Sequence, residues 1–228
     1  MSEISVLNRS DLDDADVAFA AAACDLQLRE HLVPAWPGVE YLPVRFYADA
    51  KDLPVAEDIC RLMVISQTID VPGLLGYHNL DPLVRGVVLA QGSATSVTLS
   101  HECLEMAADP LVDQWRTRPG GSMVALEVCD PVEADSYEVA VSILGETRAV
   151  AVSNFVTPAW FDERVMLMFD QMRRVSAPFA LSAGGYCVVR DAKGNVSDIW
   201  GRSDAAAIVR KLRKRWNSTS RSYRRGVR

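Results

Sequence analysis

The chain has 228 residues, 49% of them hydrophobic and 24% charged; this globular composition excludes collagen-like, coiled-coil and disordered classes. The longest apolar run is the eight residues 17–24, far below the roughly 20 that a membrane span needs. Net charge is −6, yet residues 209–228 carry nine Lys or Arg and no acid, leaving 15 basic against 30 acidic residues in the rest.

The N-terminal segment MSEISVLNRSDLDD lacks a basic stretch followed by an apolar one, so no signal peptide is expected and synthesis in a cytoplasm fits. Residues 10–33 read as a helix. Ser10 and Asp13 have capping-box spacing, the alanine run favours helix, and Pro34 and Pro37 stop it. Residues 39–47 form a strand that Pro43 confines to an edge or bulge. Residues 61–70 read as a more buried strand, 71–81 as loop and 84–91 as strand. A second helix covers 93–109, with Pro110 beyond its end. Pro119-Gly120-Gly121 marks a turn, and short strands follow at 123–128, 137–144 and 150–156. Apolar Val165, Met168, Phe169 and Met172 at helical spacing predict a helix over 160–175. Strands at 186–190 and 196–200 flank a Gly-containing hairpin loop. A last helix runs over 204–216. These elements describe one α+β domain over residues 1–205 and a basic helix and tail over 206–228.

The chemistry concentrates in Ser100-His101-Glu102-Cys103-Leu104-Glu105-Met106. His101 and Glu105, four apart, share one helix face and can grip one metal ion, while Glu102 can address a metal-bound water. This is the HExxH arrangement of zinc peptidases with Glu replacing the second His. A carboxylate is an acceptable zinc ligand and leaves Mn or Mg open. Glu127-Val128-Cys129-Asp130 offers Asp130 or Glu127 as a third ligand, with Glu102 as general base toward the metal-bound water. A solvated pair on a helix face is the plain alternative, but the apolar flanks Val97, Leu99, Leu104 and Met106 predict a half-buried helix.

The blocks LSHECLEMAADP, LEVCDPVEADSYEV and VSNFVTPAWF resemble a set of uncharacterised proteins encoded by tailed bacteriophages and prophages. The resemblance covers about residues 60–175. A fainter likeness runs to secreted plant and bacterial proteins with a SHExxE helix and a later E-x-x-D. It implies a zincin-like fold: a mixed sheet packed with an active-site-type helix. His101, Glu102 and Glu105 match the helix block, and Glu127 and Asp130 the second block.

The first expectation is therefore a virion-associated structural or accessory protein with a zinc site, found in the particle or the host cytoplasm and bound to other virion proteins or to its own copies. The second is an active zinc metallopeptidase acting on a peptide substrate. The third is a DNA-contacting accessory protein. It would use Arg210, Lys211, Arg213, Lys214, Arg215, Arg221, Arg224 and Arg225, interleaved with Trp216 and Tyr223, for salt-sensitive binding. An arm docking on an acidic neighbour is the favoured reading of that tail. Elsewhere the residues take ordinary roles. His78 reads as a polar loop residue before a substrate or metal contact, His31 complements a helix C-terminus, Cys103 packs, Cys129 packs before it ligates a metal as thiolate, and Tyr137 is a core strand residue before a donor near the site.

Overall fold

The computed structural model describes residues 3–54, 61–70, 73–80, 84–162, 164 and 168–201. The basic residues from Arg210 onward, and the helix expected over 204–216, lie outside the described residues. The chain divides into two compact units, Met1–Leu111 with Ser136–Ser153, and Val112–Asp135 with Asn154–Arg228.

The first unit is α+β. Its five-stranded sheet contains β1 (Ile4–Arg9), β2 (Val44–Tyr47), β3 (Arg61–Ser66), β4 (Gly76–Leu80) and β5 (Val84–Leu89) in the order β2-β1-β3-β5-β4. β2, β1, β3 and β5 run parallel, and β4 is an antiparallel edge. The sequence reading passes over β1. Its first four residues, Ile4 to Leu7, are all buried, so it lacks the alternation that marks a half-solvated strand. β2 lies at the sheet edge, starting just after Pro43, whose carbonyl accepts the Ile4 N–H at 2.8 Å; the edge placement follows from a residue that cannot donate to a ladder.

Helix α1 (Asp14–Gln27) connects β1 to its parallel neighbour β2, the crossover a parallel pair requires. The expected capping box does not form. Asp13 is itself the cap, accepting the Ala15 N–H at 2.7 Å, while Ser10 donates its N–H and O–H to Asn8 Oδ1. The helical run continues through a π turn, Leu28–Leu32, and a short α2 (Val33–Ala35), ending at Trp36 rather than before Pro34. Pro34 lies in the first turn of α2, directly after the π turn.

Helix α3 (Thr95–Ala108) packs on α1, β4 and β5. The hairpin β8 (Ser136–Ile143) and β9 (Glu146–Ser153) closes the layer over both helices. Phe19 and Ala23 of α1 bury against Val139, Val141 and Val152 of the hairpin. The two-residue loop puts Leu144 at φ +49° and Gly145 at φ +88°, as a turn matching the strand twist demands. The strands expected at 137–144 and 150–156 are this hairpin, the second starting earlier and ending at Ser153.

In the second unit β6 (Trp115–Thr117), β7 (Met123–Ala125), β10 (Tyr186–Arg190) and β11 (Val196–Trp200) form an antiparallel sheet ordered β11-β10-β7-β6. The β10–β11 hairpin stands where the sequence places it. Its loop is organised by Asp191, whose carboxylate accepts the N–H groups of Lys193 and Asn195. The helix expected over 160–175 is absent among the described residues. Pro158–Phe161 is a 3-10 turn, and Arg173 takes φ +59°. Asp170 accounts for the difference. Its buried carboxylate accepts N–H groups from Met172, Arg174 and Val175 and the amide of Asn154, giving the backbone partners that a helix would otherwise supply. No described helix is long and apolar enough to cross a membrane.

Candidate metal centre

α3 begins without a side-chain cap on its N-terminal amides, but Thr95 Oγ1 accepts the Gln91 N–H at 2.8 Å and holds the entering chain. Its middle is submerged: Leu99 through Met106 are all buried. This rules out the solvated-face explanation for the charged residues of the segment. Ser100 fixes the helix to the hairpin by accepting the Ser153 N–H at 2.6 Å. Asp109 ends it, donating its N–H to the Glu105 carbonyl at 2.7 Å, and Pro110 follows.

His101, Glu102 and Glu105 therefore project from one buried turn. His101 Nε2 lies 3.3 Å from Glu105 Oε1, the i,i+4 contact that the spacing predicts. Glu102 turns to a partner that local spacing cannot reveal. His78 Nδ1 stands 3.1 Å from Glu102 Oε2, with both side chains buried. His78 belongs to β4, inside the segment expected to be loop; its strand state comes from antiparallel pairing with β5, where His78 faces Gly86. Gly76 lets the strand approach α3. A Cβ there would lie 2.7 Å from Thr98 Cγ2 and 3.1 Å from Glu102 Cγ.

Ligand atoms of His78, Glu102 and Glu105 lie within 4.8 Å of one another, and all three residues are buried. This group can hold a metal ion. Its donors are one imidazole nitrogen and carboxylate oxygens, a set open to zinc and to harder divalent ions. The far side of the His78 ring faces the Asp109 carbonyl, 3.4 Å from Nε2. An Nε2–H directed there leaves the Nδ1 lone pair for a cation, the usual support for a ligating histidine. Burial sharpens the electrostatics. Removing one partner of a buried ion pair typically costs about 3–5 kcal/mol because the other charge is stranded.

Glu127 and Asp130 belong to the second unit, where both are buried and Asp130 opens the 3-10 turn Asp130–Val132. Cys103 and Cys129 are buried thiols, as the packing reading expects. His31 lies in the last turn of the π segment, at the helix end where the sequence places it. Its Nδ1 also lies 2.7 Å from the Tyr137 hydroxyl, and burial lowers its pKa below the usual value. His78 is the residue that sequence reasoning ranked as a loop residue ahead of a metal contact. A histidine between two strand candidates was the available signal, but only sheet pairing brings it to α3.

No protein-family model, curated protein or solved structure matches the chain.

Proposed function

We propose that this chain is a zincin-like, metal-binding accessory or structural protein of a bacteriophage particle, with a divalent ion held by His78, Glu102 and Glu105. The observation that carries the metal reading is the meeting of three buried ligand groups, with ligand atoms within 4.8 Å of one another, from β4 and α3. Two carboxylates offset the charge of one divalent ion, and zinc fits the nitrogen and oxygen donors. The SHECLE, EVCD and VSNFV blocks support the virion assignment. Elemental analysis of protein purified without chelator tests the centre, beside His78→Ala and Glu105→Ala variants. About one ion per chain, lost in both variants, is expected. A metal-free protein, with both variants equally folded, would refute it. Mass spectrometry of purified particles tests the location, where stoichiometric presence is expected.

One contact favours a second reading, an active metallopeptidase. His101 and Glu105 meet at 3.3 Å with Glu102 beside them on the helix. In this reading His101 and Glu105 hold the ion. Glu102 takes the proton of the attacking water, and His78 orients Glu102 through the 3.1 Å contact. The two readings separate cleanly. His78→Ala empties the first centre and leaves the second loaded; Glu102→Gln abolishes proteolysis with metal retained only in the second.

A further inference from the structure

We propose that Glu105 is a bridging ligand, and that the centre takes a second divalent cation at His101 and Glu105, bound more weakly than the first. This rests on the reading of His78, Glu102 and Glu105 as a metal centre. A carboxylate has two oxygens and can serve two ions at once, as in paired-metal sites with ions about 3.5–4 Å apart. Glu105 is placed for both tasks. Its Oε1 lies 3.3 Å from His101 Nε2, and the same side chain is common to the cluster with His78 and Glu102. Helix geometry favours this, since residues three and four positions before Glu105 both flank it. Each histidine thus has a carboxylate neighbour, and one carboxylate is shared.

The two positions differ in access. The His78 and Glu105 side chains are 0% exposed and Glu102 is 3% exposed, whereas His101 is 10% exposed. The inner position is closed on all three ligands, while the outer one has at His101 a slightly exposed ligand. Charge sets the order of filling. Glu102 and Glu105 together offset the first ion. The second relies on the shared carboxylate and on hydroxide or another anion, against repulsion from its neighbour. The inner ion binds first and tightly; the outer follows at higher concentration.

The test is a manganese titration of the full-length, metal-stripped chain, with bound metal counted by mass spectrometry and followed by electron paramagnetic resonance. Two ions per chain are expected at saturation. The second should bind at least about tenfold more weakly, because like charges sit at paired-metal separation, and the resonance intensity should fall below the metal content as the ions couple. His101→Ala should keep only the tight ion, His78→Ala should lose it, and Glu105→Ala should bind neither. His101→Gln, which preserves a polar group beside Glu105, replaces the alanine variant should that one fail to fold. One ion per chain at saturation would overturn the bridge while leaving the single-metal centre standing. No bound ion would overturn both. Two ions retained in a folded His101 variant would refute the part assigned to His101.

Discussion

Gly76→Ala is the most direct probe of how β4 delivers His78 to α3. The new Cβ would sit 2.7 Å from Thr98 Cγ2, against an ordinary carbon contact of about 3.5–4.0 Å. The strand and helix must part by roughly 1 Å to restore that contact. Overpacking of this kind costs about 1–3 kcal/mol, while replacing glycine inside a strand returns about 0.5–1 kcal/mol. A net loss of about 1–2 kcal/mol is expected, read as a lower urea midpoint with unchanged slope. Metal occupancy should fall with it, because Glu102 Cγ and Oε1 lie 3.1 Å from the same Cβ position. Thr98→Ser removes the offending methyl group. The double variant should recover most of the loss, with a coupling of about 1 kcal/mol or more. A Gly76→Ala protein as stable as the parent, or a double variant no better than the single, would refute the close approach.

Ser100→Ala should strand the buried Ser153 N–H that now donates to Ser100 Oγ at 2.6 Å, costing about 1–3 kcal/mol in urea unfolding. His31 makes stability depend on pH. Its folded pKa is lowered by burial, against a weaker raising influence from Glu30, so its stabilising effect is complete above the unfolded value of about 6.5 and is lost as pH falls through the folded value. A His31→Gln protein should therefore lose less stability than the parent between pH 6.5 and lower pH; parallel curves would contradict this. Burial pushes the Cys187 thiol up to about 12, so alkylation at pH 8 should be slow in the native protein and fast once it is unfolded; rapid native labelling would count against that environment.

The two kinds of information in the sequence behaved differently. Features set by neighbours along the chain were legible: α3 with its His101–Glu105 pair, the β10–β11 hairpin around Asp191, and the edge placement imposed by Pro43. Features set by distant pairing were not. Gly76-Tyr77-His78-Asn79 has turn composition, and only the ladder with β5 makes it a strand. The apolar spacing of Val165, Met168, Phe169 and Met172 satisfied a helical template, yet Asp170 binds the backbone amides that follow it. The candidate centre shows the same division. Its α3 half follows from spacing, whereas His78 arrives from 24 residues upstream of Glu102 with no periodicity to announce it.

The hairpin that covers α1 and α3 belongs to the first unit, although it follows an excursion of the chain into the second. This ordering constrains biosynthesis. Residues up to Leu111 contain the sheet and both long helices, but the apolar side chain of Phe19 packs against Val139, Val141 and Val152 of the later hairpin and lies under Arg148 of the same hairpin. Emerging from a ribosome, the first unit stays incomplete until Ser153 has been made, and its nascent form presents a sticky helical surface for the interval. A fragment ending at Leu111 would carry His78, His101, Glu102 and Glu105 but inherit that same exposed surface, making it prone to aggregate. The metal centre and the segment that shields its scaffold are thus separated in time as well as in sequence.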